Sequence, residues 1–201
     1  MPNRKPTNPA KRSATDPKPT RAIRDWYQDV GVDEYYRLHA DQYQNPHLPW
    51  IRELICRNHK RLELANCLDF CCGLGEVSEV LLELGYEQIS GCDPYTHELY
   101  RERLDLDCSP WSFEDLLQGR MTTRYSCMIS SFALHLCPLD QLVPLVWQLF
   151  RCTEQLVILT PHKRPELEKI AGIELSFEDL IRTDRGKRIR FKVYRPLPPG
   201  K

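Results

Sequence analysis

The chain has no run approaching the ~20 consecutive apolar residues that a membrane helix needs, so no membrane partner is expected. It has no recognisable secretory leader, since its first apolar-rich stretch lies far inside the chain. It has no net charge: 28 basic residues balance 28 acidic ones, and the whole-chain balance gives no reason to expect a polyanionic partner. It has nine cysteines but no C-x-x-C and no Cys/His cluster at zinc spacing, so no metal site is expected. Apart from the adjacent pair Cys71-Cys72, the cysteines sit singly in apolar runs. That usage suits a reducing intracellular compartment, cytoplasmic or nuclear, where a free thiol behaves as a small hydrophobe.

Charge is nevertheless uneven along the chain. Residues 1–24 carry Arg4, Lys5, Lys11, Arg12, Lys18, Arg21 and Arg24 against one acid, Asp16, with few large apolar side chains. Such a segment cannot bury enough surface to offset its ordering entropy and reads as a disordered basic tail. It serves solubility, a nuclear address or a weak nucleic-acid contact. No basic stripe stands out in the rest of the chain. Residues 25–65 read as an N-terminal helical cap, helix-prone from 26 to 60, with breaks near Asn45-Pro46 and Leu48-Pro49 and apolar markers at Tyr36, Tyr43, Leu54 and Ile55.

From residue 66 to 196 the texture becomes an alternation of strands and helices. Residues 67–72 form an apolar run that ends in a glycine turn. Val77, Val80, Leu81 and Leu84 follow at i, i+3, i+4 and i+7, the stripe of a helix that Gly85 stops. Further strands are expected at 88–92, weakly at 106–109, at 125–131 and at 155–160, with helices at 96–104 and around Leu142, Val146, Leu149 and Phe150. Pro144 fits that last helix only in its first turn. Residues 173–182 and 188–194, joined by Thr183-Asp184-Arg185-Gly186, read as a hairpin. The fold class is therefore α/β: a Rossmann-like, doubly wound sheet of about seven strands. It is mostly parallel, with a C-terminal antiparallel hairpin and helices on both faces.

The chemistry concentrates in Leu68-Asp69-Phe70-Cys71-Cys72-Gly73-Leu74-Gly75, a strand running into a glycine turn and a helix. Glycines are needed where backbone turns with positive φ or approaches a ligand, and the helix start offers free N–H groups. Asp93 ends the second strand about twenty residues on, where a carboxylate can accept both hydroxyls of a ribose. By this reading Asp93 serves the ligand far more than the fold. Gly73-x-Gly75-x-x-Ser78 comes near a dinucleotide fingerprint. Asp69, inside the strand just before the turn, would oppose a pyrophosphate and suit a ligand with an ammonium group, such as the methionine part of S-adenosylmethionine.

These segments resemble the class I methyltransferases. Leu68-Asp69-x-Cys71-Cys72-Gly73-x-Gly75 is similar to their first motif and Ser90-Gly91-Cys92-Asp93-Pro94-Tyr95 to their second. Ser112-Phe113-Glu114-Asp115-Leu116 falls at their third-strand loop, and Ile129-Ser130-Ser131-Phe132-Ala133-Leu134-His135-Leu136 at their fourth motif. Two positions depart from the pattern: Cys71 stands where the first glycine usually is, and Ser112 where an acid usually meets the adenine amine.

The resemblance implies S-adenosylmethionine as cofactor and a role for each matched residue. Asp69 lies near the ligand's amino group, Cys71 beside its methionine part, and Gly73 and Gly75 pass beneath methionine and ribose. Asp93 takes the ribose hydroxyls, Pro94 or Tyr95 covers the adenine, and Ser112 and Phe113 border its far edge. Ser130 and Ser131 lie below the sulfonium. Tyr36 and Arg37, in the cap, reach the cofactor carboxylate. His135, with His162 second, is the candidate base for an acceptor that must lose a proton. No Asn/Asp-Pro-Pro-Tyr/Phe follows the fourth strand, which points away from adenine or amide N-methylation. The acceptor is unidentified: a small molecule, a protein or a nucleic acid. A non-catalytic relative that uses the fold as a binding module, and a dinucleotide-binding oxidoreductase, stand as alternatives.

Overall fold

The computed structural model describes residues 47–198. The expected tail and most of the expected cap, including Tyr36, Arg37 and Tyr43, lie outside the described residues. The first helix, α1, runs Leu48–Asn58 and buries Ile51, Leu54 and Ile55. Leu48-Pro49, read from sequence as a break, instead starts this helix. Pro49 sits in the first turn, where a missing N–H costs no intrahelical bond.

Strands and helices then alternate: β1 (Cys67–Phe70), α2 (Glu76–Glu83), β2 (Ile89–Cys92), α3 (His97–Leu104), β3 (Cys108–Ser109), α4 (Phe113–Leu117), β4 (Cys127–Ser131), α5 (Leu139–Cys152), β5 (Leu156–Thr160), β6 (Ile173–Arg182) and β7 (Arg188–Pro196). They build one seven-stranded sheet in the order β3-β2-β1-β4-β5-β7-β6. The first five strands are parallel, and β7 runs antiparallel to both β5 and β6. This is the fold class expected from the pattern of apolar runs.

The sheet is covered on both faces. Leu68, Phe70, Met128, Leu156, Ile158 and Tyr194 meet Leu116 of α4 and Leu145, Val146, Leu149 and Phe150 of α5. The alternate strand residues Cys67, Cys127, Ile129, Val157, Leu159 and Phe191 meet α1 and α2. Every residue of β5 is buried, as a central parallel strand between two helical layers requires.

Two local expectations are corrected. Pro144 lies in the second turn of α5, not the first. It is exposed, so the carbonyl it leaves unbonded, on Asp140, faces solvent while the opposite side of the helix stays packed. The segment after β3, read as a loop, forms the short helix α4 on a capping box. The Ser112 hydroxyl accepts from the Asp115 N–H, and the Asp115 carboxylate accepts from the Ser112 N–H.

Candidate cofactor and acceptor site

β1 and β4 are neighbours, yet the chain leaves them toward opposite halves of the sheet. Their C-terminal ends flank the crevice where open α/β sheets take ligands. The loop after β1 turns sharply there, with Cys71 at φ 55°, Gly73 at 55° and Gly75 at 88°. The two glycines do different work. A Cβ on Gly73 would meet only Glu76 Oε2, at 3.7 Å, so this Cα faces open space. A Cβ on Gly75 would clash with Leu104 Cδ1 and lie 2.9 Å from the Tyr100 ring. Gly75 lets α2 close against α3, a packing role.

Cys71 is half-buried against the core cluster that Phe70, Met128 and Ile158 share with α4 and α5. Its left-handed backbone is what a glycine supplies without strain; a side chain there costs roughly 1–2 kcal/mol. Cys71→Gly exchanges that strain for lost thiol packing. The expected result is little change in melting temperature and unchanged or tighter binding of S-adenosylhomocysteine, read in paired melting and titration experiments. A large loss of affinity at intact stability would instead make the thiol a favourable ligand contact.

Asp93 ties two loops together. Its Oδ1 accepts from the N–H groups of Tyr95 (2.9 Å) and Thr96 (3.1 Å), and its Oδ2 accepts from Gly73 N–H (3.2 Å). The Thr96 hydroxyl completes the clasp by donating to Gly73 O at 2.6 Å. A carboxylate expected to serve mainly a ribose therefore also holds the glycine loop to the β2 end. Asp69 sits one strand over and is almost fully buried. Its Oδ2 accepts from both the backbone N–H (3.1 Å) and hydroxyl (2.8 Å) of Ser78, whose oxygen lies 2.7 Å from Tyr100 Oη. Burial pushes the Asp69 carboxyl up to about 8, against the lowering effect of the Ser78 bonds. Asp69 Oδ1 has no hydrogen-bond partner among the described residues.

Across the crevice, Ser130 Oγ and Ser131 Oγ are also buried without a partner among the described residues. Phe132, just beyond β4, is another left-handed residue (φ 56°), and its ring stacks on His47 at 4.8 Å. The two base candidates come together: His135 and His162, leaving β4 and β5, have ring centroids 4.6 Å apart. Partial burial, then His162, hold His135 below the usual histidine range. Pro94 is half-buried and Tyr95 is 52% exposed beside the loop. Phe113 leans on Phe70 at 6.1 Å, as a packing aromatic does. The Ser112 hydroxyl is committed to Asp115, 2.8 Å away.

Sequence reasoning passed over Ser78 and Tyr100 as site residues, although Ser78 fills the third place of the G-x-G-x-x-G-like run. It also passed over Phe132 and His47. The antiparallel β7, wedged between β5 and β6, separates this sheet from the all-parallel 3-2-1-4-5-6 order of dinucleotide dehydrogenases. Solved structures agree. Magnesium protoporphyrin IX methyltransferase from Synechocystis PCC 6803, with bound SAM, is similar at a TM-score of 0.62 and 15% identity, covering 86% of this chain and 95% of its own.

The chain has the fold of the class I methyltransferases.

The N-methyltransferase NodS from Bradyrhizobium japonicum WM9, in complex with S-adenosylhomocysteine, shares this methyltransferase fold at a TM-score of 0.62 and 11% identity, with 86% and 97% covered. An uncharacterised protein of Schizosaccharomyces pombe is 28% identical, over 73% of this chain and 77% of its own length. No family model matches the chain. Among the described residues no helix is long and apolar enough to cross a membrane, and no group of three or more His, Cys, Asp or Glu is placed to hold a metal ion.

Proposed function

We propose that this chain binds S-adenosylmethionine across the C-terminal ends of β1 and β2 and directs its methyl group to an acceptor held beyond β4 and β5. One observation carries the reading. Asp69 Oδ1 and Ser131 Oγ, on the α1/α2 side of the two strands that flank the crevice, are buried polar atoms without partners among the described residues, and Ser130 Oγ, on the α4/α5 side, is a third. Such atoms are costly unless something completes them. The methyltransferases of like fold with bound SAM or S-adenosylhomocysteine support the same reading.

The residues present fit the cofactor. Asp69 would face its ammonium, Asp93 its ribose, Pro94 and Tyr95 its adenine, and Gly73 leaves room for its methionine part. Ser112 and Phe113 would border the adenine's far edge and Ser130 and Ser131 would lie toward the acceptor; Tyr36 and Arg37, expected from sequence to reach the carboxylate, lie outside the described residues. S-adenosylmethionine supplies a methyl group on a cationic sulfur, open to direct displacement. The chain's own part is to hold the acceptor close and in line. His135, whose basicity partial burial and then His162 lower, accepts a proton where the nucleophile must lose one. A second reading, the fold as a non-catalytic binding module, draws on Ser112, whose hydroxyl is spent on a helix cap. Turnover with labelled methyl groups separates the two.

S-adenosylhomocysteine is expected to raise the melting temperature, because a ligand that binds only the native state stabilises it by mass action. No shift at millimolar ligand, in protein shown to be folded, contradicts the reading. The pH dependence is specific. With its carboxyl raised to about 8, Asp69 is largely protonated at neutral pH. An ammonium beside it favours the ionised form, so binding expels a proton below that value. Affinity is expected to rise from about pH 6 toward 8 and then level off. The free protein behaves oppositely. Unfolded Asp ionises near ~3.9 while folded Asp69 keeps its proton, so this group's contribution to stability falls as pH rises from about 4 to 8. An affinity flat across the window would remove Asp69 from the ligand.

A further inference from the structure

Because β7 runs antiparallel to β5, the β6–β7 turn returns to the edge from which β4 and β5 exit; Thr160, at the end of β5, pairs with Arg190. This edge is cationic in a chain of zero net charge. Lys163 and Arg164 follow β5, while Arg182, Arg185, Lys187 and Arg188 surround the turn, and all six are exposed. Within residues 182–190 the sole acid is Asp184. None of the six side chains makes an ion pair or hydrogen bond among the described residues, whereas the next cations along β7 are satisfied: Arg190 by Glu178 (3.5 Å) and Lys192 by Glu168 (3.0 Å).

A run of charge is ordinarily a solvated surface, but two features ask for more. Arg182 and Arg188 are register partners across the hairpin, and like charges directly opposite weaken an antiparallel pair. Two segments far apart in sequence also converge on the one edge where an acceptor would enter. The row approaches the crevice at His47, which stacks on Phe132 just beyond β4 and whose basicity is lowered by burial first and by Lys187 second.

We propose that this edge is the acceptor site for single-stranded nucleic acid, with the row from Lys163 to Arg188 holding its phosphodiesters. The inference rests on the methyltransferase reading above. Small-molecule sites enclose their ligand; here the cations are strung along an open edge, which matches the repeated charge of a polyanion. Between the row and the glycine loop lie the exposed rings of His135 and His162, against which unstacked bases can rest. A single strand offers such bases without the cost of flipping one out of a duplex. Methyl transfer to this acceptor breaks the sulfur–carbon bond as the bond to the acceptor atom forms, and any proton lost there passes to His135.

The test uses the full chain, a labelled oligouridylate, the matching oligothymidylate and polyglutamate, at several salt concentrations. The edge variant combines Arg185→Gln, Lys187→Gln and Arg188→Gln. A control variant removes three cations from the opposite edge: Lys60→Gln, Arg124→Gln and Arg195→Gln. The edge variant is expected to bind oligonucleotide roughly tenfold more weakly than wild type, with the slope of log K against log salt reduced by about 2, at ~0.7 per lost phosphate contact. The control is expected to bind like wild type, and all three proteins to keep the melting shift with S-adenosylhomocysteine. Tighter binding of either strand supports the proposal and names its sugar. Equal binding by the edge and control variants overturns it, as does polyglutamate binding as tightly as the oligonucleotides. A missing S-adenosylhomocysteine shift with oligonucleotide binding intact would sink the cofactor reading alone.

Discussion

Gly75→Ala is expected to destabilise the protein by roughly 2–5 kcal/mol, combining ~1–2 for a side chain in left-handed backbone and ~1–3 for overpacking. The new methyl group would press on Leu104 and on the ring of Tyr100, which is fully buried and bonded to Ser78. Leu104 can swing aside; Tyr100 cannot move without breaking the Asp69–Ser78–Tyr100 chain. Gly73→Ala is the informative partner. It shares the positive φ but meets open space, so only the backbone cost applies to its stability. Its methyl group would project where the ligand is expected, so its larger loss should be in S-adenosylhomocysteine affinity. Urea denaturation and titration of both variants read the crossover. Equal destabilisation by the two would contradict the packing role of Gly75.

Asp93→Ala is expected to cost roughly 2–4 kcal/mol of stability and to reduce S-adenosylhomocysteine binding below detection. Removing the carboxylate strands three backbone donors, those of Gly73, Tyr95 and Thr96, and hydrogen bonds to a charged group are worth ~1.5–3 kcal/mol each before solvent compensates. These bonds add a part in the fold to the expectation from sequence that Asp93 serves the ligand far more than the fold. Asp93→Asn separates the roles. Its carbonyl can keep the Tyr95 and Thr96 bonds, but its NH₂ then faces the Gly73 N–H and the negative charge is gone. Most of the stability should return while affinity stays low. An Asn variant that binds like wild type would take the ribose away from Asp93.

Much of this was legible in the sequence because its signals are local. The stripe of Val77, Val80 and Leu81 and the uninterrupted apolar run of β5 each state their own structure, and alternating them leaves few topologies. The site was legible where a strand ends in a turn: Asp69, Gly73 and Asp93 fall together at one edge, as the resemblance implied. What sequence could not state is which atoms meet across loops. Gly73 and Gly75 look alike in a motif, and only the approach of α3 distinguishes them. Ser112 reads as a weakened adenine contact until Asp115, three residues on, is seen to make it a helix cap. The cationic edge was missed because residues 163–164 and 182–190 join only when β7 folds back beside β5. A balanced whole-chain charge conceals the concentration of one sign at one edge.

Isothermal titration of the full chain with S-adenosylhomocysteine, near pH 7 and in buffers of differing ionisation enthalpy, tests the central claim most directly. The account predicts saturable one-to-one binding with release of a fraction of a proton, as an ammonium beside a carboxyl raised to about 8 requires. Absence of binding heat at millimolar ligand in every buffer, from protein that melts cooperatively, would contradict it.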